Sequence, residues 1–208
     1  MASETINPRT TGAGMMSPAL NLLRVDLARR SKWNIGYFGS GFLFWVYAAV
    51  IGSVFPLLVA RVYWLVGTFF IFPVAVGVSR LLRADPFSKG NALGEVVGYT
   101  HMSVIAMTLP LVLSAFIYFP EAMILVMAIS YCLDFYLMTW AFGSPLFGLH
   151  AALRTLAVTI IWFALPEWRA SALPLVVAMA YLVTVVLIPP LRRQWLKEQA
   201  IQGSTNAA

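Results

Sequence analysis

"AMILVMAISYCLDFYLMTWAFGSPLFGLHAALRTLAVTIIWFAL", residues 122–165, consists of two apolar runs joined by a Gly-Ser-Pro break. Each run is roughly twenty residues long, the length at which a helix rising about 1.5 Å per residue crosses a hydrocarbon core of about 30 Å. Barrel strands would alternate apolar and polar residues over roughly ten positions, and these runs do not. Helices satisfy their own backbone groups, which lipid cannot do for them. The stretch therefore reads as a transmembrane helical hairpin.

The remainder of the chain follows the same pattern. Of 208 residues, 61% are apolar and 11% charged, against roughly a quarter charged in soluble domains, which leaves too little polar surface to face water. Six spans are predicted: Gly36–Leu58, Val62–Leu82, Leu93–Phe119, Ala122–Phe142, Leu146–Leu165 and Ala170–Ile188. Pro56, Pro120, Pro166 and the Pro189-Pro190 pair stand at or near span ends, as helix breakers should. Pro73 and Pro110 fall inside spans and predict kinks. The fold class is all-α, a polytopic transmembrane bundle.

Charge sets the orientation. Of the fourteen Lys and Arg residues, Arg61 and Arg169 lie on one side, Arg154 lies within the membrane, and the other eleven share the opposite side. Basic residues flanking spans stay in the cytoplasm, so both termini are expected there. The chain divides into a cytoplasmic segment 1–34, a six-helix domain 35–190 and a cytoplasmic tail 191–208. No removable signal peptide is expected, because the first apolar run begins late and fills a membrane thickness. The net charge of +6 is a topology signal; nucleic acid is not expected as a partner, since no recognition motif accompanies it.

Residues 1–16 read as disordered. Ser17 can cap a helix with Pro18 at its first position, and Leu20, Leu23 and Leu27 would share one face. This helix reads as a solvated lead-in to the first span rather than an anchor on anionic lipid or a contact for a partner.

Few ionisable groups enter the spans. Asp134 and Arg154 lie about ten residues either side of the Ser144 turn, which places both roughly 12–15 Å inside the same membrane edge. A charge alone at a span's centre costs roughly 2.5–3.5 kcal/mol, so the two are expected to be mutual counter-ions. His101 reaches a similar depth on the third span. Its face carries Gly94 and Gly98 of "GEVVG", a small-residue pattern that lets another backbone approach. His150 lies one turn from Arg154, and Tyr131 one turn from Asp134.

These five residues could line a cytoplasm-facing pocket for a substrate or a proton relay, or form a structural network locking three helices together. The loop "SRLLRADPFSKGNALGE" could gate such a pocket, although a turn followed by a helix cap explains it equally. No cofactor or metal is expected: the two histidines differ in depth by roughly 6 Å, which does not suit one haem. Cys132, the single cysteine, reads as a small apolar core residue. "GYFGSG" at 36–41 reads as tight helix packing, and Trp33, Trp45, Tyr63, Trp64, Tyr118, Trp168 and Trp195 as an interfacial aromatic belt.

"PFSKGNALG" before a glycine-containing span, together with "RVDLARRSKWNIGYFGSG" leading into the first, resembles an uncharacterised family of small bacterial multipass membrane proteins, a domain of unknown function. The resemblance runs from about Leu22 to Leu187 and implies a helical bundle in the bacterial inner membrane. It carries no activity and assigns no functional residue. A small transporter or permease fits the residues first; alternatives are a membrane-embedded enzyme acting on lipid or isoprenoid substrates, or a structural or regulatory subunit. The bilayer is the expected partner; a small-molecule ligand, a second copy and another membrane protein are compatible with the sequence.

Overall fold

The computed structural model describes residues 18–205; the expected disorder of residues 1–16 and the Ser17 cap lie outside them. Eight α-helices follow one another: α1 Pro18–Arg30, α2 Ile35–Val54, α3 Leu57–Leu81, α4 Ala92–Tyr118, α5 Met123–Ser130, α6 Phe135–Phe142, α7 Leu146–Ala164 and α8 Arg169–Thr205. Single 3-10 turns at Pro120–Ala122 and Pro166–Trp168 lead into α5 and α8. Counting α5 and α6 together, six segments are long and apolar enough to cross a membrane, while α1 is a seventh, shorter helix outside them. No strand occurs among the described residues. The protein is an all-helical, multipass membrane bundle.

The fourth span is broken at Tyr131–Asp134. There the amides of Cys132, Leu133 and Phe135 reach back three residues instead of four, to Ile129, Ser130 and Cys132 at 3.3, 3.4 and 3.1 Å. That tighter winding leaves the Ala128 carbonyl without an amide partner from its own helix. In lipid a freed carbonyl must find another donor.

Its donor is Arg154, and the pattern recurs through the bundle. Arg192 donates to the Ala28 carbonyl of α1 at 3.2 Å, Arg169 to Trp162 of α7 at 2.7 Å, Arg61 to Phe116 of α4, Arg24 to Trp140 of α6 and Arg154 to Ala128 of α5. Each acceptor stands two residues before its helix ends. Lys32 does the same just past α3, at the Leu82 carbonyl, 2.6 Å away. The last carbonyls of a helix lack intrahelical partners and carry its partial negative charge, so a cation there is favoured on both counts. The basic residues that the sequence marks as a topology signal thus also close helix ends.

The predicted end at Pro189-Pro190 is corrected: α8 continues to Thr205. A proline removes its own amide from the ladder but leaves its backbone angles helical. Contacts from α1 and its following turn hold the extension, with Asn21 bonded to Gln199 at 2.8 Å and the Trp33 and Trp195 rings 6.1 Å apart. Both described termini therefore share one end of the bundle. Reading α1 as a solvated lead-in is corrected by the same contacts, since Arg24, Leu27 and Ala28 are buried.

α2 is the hub, packed most extensively on α8 and α3. Tight packing explains "GYFGSG": a Cβ on Gly36 would stand 1.9 Å from Ser79 Oγ, and one on Gly41 2.4 Å from the Tyr181 ring. Of the expected aromatic belt, Tyr63, Tyr118 and Trp168 are exposed, but Trp33, Trp45 and Trp64 are core residues. Trp64 donates its indole N–H to the Ala48 carbonyl at 3.0 Å, whereas the buried indole N–H of Trp33 has no hydrogen-bond partner. Pro73 and Pro110 lie inside helices that continue through them. α3 and α4 turn most of their surface outward and scarcely touch each other. The gap between them leads to the candidate site.

Candidate functional site

A pocket of about 480 Å³ lies at the end of the bundle where the termini meet. α2 contributes Tyr37, α3 Phe72, the α3–α4 loop Phe87 and Ser88, α6 Met138, and α4 the face carrying Glu95, Tyr99, His101 and Met102. Volume and lining are those of a small-molecule site: mostly apolar walls with a few convergent polar groups.

His101 stands in the α4 wall of the pocket. Its Nδ1 lies 2.8 Å from Asp134 Oδ2; the imidazole keeps 23% of its side-chain surface open while the carboxylate keeps 2%. Tyr37 meets the imidazole edge-on at 5.8 Å between ring centres. Asp134 can face α4 because it closes the break, immediately before α6. Its second oxygen, Oδ1, is buried with no hydrogen-bond partner. A carboxylate bonded to one ring nitrogen fixes the orientation of a partly open imidazole and leaves its other nitrogen for a ligand or a proton.

The expected Asp134–Arg154 ion pair is absent; the two side chains do not approach within 4.0 Å, and Asp134 pairs with His101 instead. α6 and α7 are neighbours, as the hairpin requires, but the faces disagree. Arg154, 1% exposed, donates to Ala128 O and, at 3.0 Å, to the Tyr181 hydroxyl. Its guanidinium lies 5.3 Å from the Trp45 ring centre and 5.2 Å from that of Tyr181. Ring faces and a helix end replace the anion.

Two further candidates also lie away from the pocket. His150 is buried among Phe38, Phe135 and Tyr181, with Nδ1 2.6 Å from the Thr184 hydroxyl. That hydroxyl donates to the Ala180 carbonyl at 3.0 Å, so it accepts from His150 Nδ1–H. Tyr131, in the break itself, faces Thr68 of α3. Of the five residues expected to gather, the structure joins His101 to Asp134, joins Arg154 to the surroundings of His150, and leaves Tyr131 apart.

The loop does line the pocket, through Pro86, Phe87 and Ser88. Asp85 pins it: Oδ1 accepts the Phe87 and Ser88 amides, each at 3.0 Å, and Oδ2 accepts Arg30 at 2.7 Å. Burial pushes the Asp85 carboxyl up, but those amides and the guanidinium outweigh it and hold the group below its ordinary value. Asn91 caps α4, accepting from the Leu93 and Gly94 amides at 3.0 and 3.1 Å, and ties the cap to α1 through the Leu23 carbonyl at 2.9 Å. Turn, cap and pocket wall are therefore one segment.

"GEVVG" divides in two. A Cβ on Gly94 would come 2.7 Å from Ser88 Cβ, so this glycine admits the loop rather than another helix. One on Gly98 would meet nothing within 4 Å, because Gly98 opens on the pocket. Sequence reasoning missed Tyr37, Phe72 and Tyr99, whose only signal is aromatic character near one membrane end. Among the described residues no group of three or more His, Cys, Asp or Glu side chains could hold a metal ion.

No curated protein and no solved structure matches the chain. Residues 20–189, most of its length, match the family of unknown function DUF7010, and the protein belongs to that family.

Proposed function

We propose that this protein is a small transporter or permease whose ligand binds in the pocket between α3 and α4, with His101 and Asp134 as its proton-responsive group. The observation that carries the reading is the 2.8 Å His101–Asp134 pair, its carboxylate buried and its imidazole partly open, at the wall of a pocket large enough for a metabolite. A helix interrupted beside a site is the usual way for a bundle to bring backbone and side-chain polar groups to membrane depth. The break at Tyr131–Asp134 is of that kind. The excess of basic residues at the end that holds both termini favours that end as the cytoplasmic one, in a bacterial inner membrane, so the pocket faces the cytoplasm.

The test is uptake. Proteoliposomes carrying the full chain are given a pH gradient of either sign and a pooled metabolite mixture, and the retained solutes are identified by mass spectrometry. One or more solutes should accumulate with the native protein and not with His101→Ala of equal abundance. Native proteoliposomes indistinguishable from empty ones under both gradients would overturn the proposal.

A further inference from the structure

The chemistry of the pocket wall narrows the ligand. Around the cavity stand the rings of Tyr37, Phe72, Phe87 and Tyr99 and the thioethers of Met102 and Met138. Besides the phenols of Tyr37 and Tyr99, the ionisable lining is Glu95, exposed at the mouth, and His101 with the Asp134 carboxylate behind it. In a chain of net charge +6, no Lys or Arg lines this cavity. Of the nearby cations, Arg30 pairs with Asp85 and Asp26 and Lys32 with the Leu82 carbonyl, while Lys89, next to Ser88, is exposed and outside the lining. Arg154 is sealed against Ala128, Trp45 and Tyr181.

Aromatic faces attract a cation through their quadrupoles, most strongly where water is excluded, and polarizable methionines adapt to bulky apolar bodies. A carboxylate at the mouth and another behind the imidazole add attraction of the same sign. An anion would meet like charge at Glu95 and no Lys or Arg in the lining, only the neutral donors of Asn34, Ser88 and the two tyrosines beside the imidazole. We infer that the ligand is a lipophilic organic cation, held over the Tyr37, Phe72, Phe87 and Tyr99 rings with its charge toward Glu95 and the His101–Asp134 pair. The inference rests on the pocket being the ligand site of the proposed transporter.

Tetraphenylphosphonium and tetraphenylborate, nearly equal in shape and opposite in charge, make the test. Each is titrated calorimetrically into the purified full-length protein in micelles, with protein-free micelles subtracted. The cation should bind saturably and the borate should not. Gly98→Leu grows into open space, so it should weaken cation binding at least tenfold while leaving the thermal unfolding midpoint unchanged. Glu95→Gln, at an exposed position, should weaken it several-fold and serves if Gly98→Leu fails to fold. Borate binding as tight as the phosphonium, no saturable phosphonium binding, or phosphonium binding indifferent to both substitutions would each overturn the inference. Solute uptake that depends on His101, with no phosphonium binding, would reject the cation while leaving the transporter reading intact. Phosphonium binding without uptake of any solute would do the reverse.

Discussion

Asp134, in the break of the fourth span, and Arg154, reaching that break from α7, serve two clusters of opposite character. On the pocket side, Asp134 holds an imidazole that is partly open, and one carboxylate oxygen has no partner. On the other side, Arg154 is closed in by a carbonyl, a phenol and two ring faces. The first cluster opens on a cavity through its imidazole; the second is sealed in the core, where Arg154 holds α5, α7 and α8 together although its Nε and His150 Nε2 have no hydrogen-bond partner. Equal distance from the hairpin turn therefore does not make a common site. What separates the two clusters here is whether a polar group reaches the cavity.

Substitutions can break that contrast, and the largest effect should come from the closed side. Arg154→Met strips the donor from Ala128 O and from the Tyr181 hydroxyl, and groups left unsatisfied in a core cost roughly 1–3 kcal/mol each. A loss of about 3 kcal/mol is expected, read as a large drop in the detergent-phase unfolding midpoint. Reversing both charges, with Asp134→Arg and Arg154→Asp together, should be no better than the worse single change; recovery would restore the ion pair that the structure replaces. Tyr181→Phe removes one hydrogen bond to a charged group and should cost about 1–2 kcal/mol by the same measurement.

On the open side the expected effects on stability are smaller and those on activity total. His101→Gln and Asp134→Asn should each change stability by about 1 kcal/mol or less while abolishing uptake in proteoliposomes. Diethyl pyrocarbonate, followed by peptide mass spectrometry, should label His101 and spare His150. Equal labelling of the two would erase the distinction between open and closed.

The smallest effect belongs to the loop over the pocket. The Asp85 carboxyl titrates below its ordinary value of 3.8 in the folded protein, so the unfolded chain takes up its proton first as pH falls. Its contribution is complete above that value and lost as pH drops through the lower folded one. Unfolding midpoints measured between pH 7 and pH 3 should show a shallow decline at the acid end that Asp85→Asn lacks. An equal decline in the variant would mean that the loop is held by something else.

Particular residues show how far the sequence could be read. The span between Leu146 and Ala164 was legible from length and hydropathy alone, as was the hairpin with its Gly-Ser-Pro break. Gly36 and Gly41 were legible as packing positions, because glycines clustered in an apolar helix admit close neighbours. His101 and Asp134 were each legible as unusual, but not as partners. The break at Tyr131–Asp134 was hidden, since it contains neither proline nor glycine, and "SYCLDFYL" reads as continuous helix. The continuation of α8 past Pro189 was hidden for the opposite reason, a strong breaker overridden by contacts from α1.

By itself the sequence determined the solvent and the number of apolar helices long enough to cross it, because these depend on composition and on a fixed rise per residue. Which charges meet was decided only in the tertiary structure. Position along a helix sets depth, but the direction a side chain faces accumulates through every turn, and the irregular turn before α6 redirects Asp134 toward α4. Arg154, left without that anion, closes the helix end that the same turn exposed.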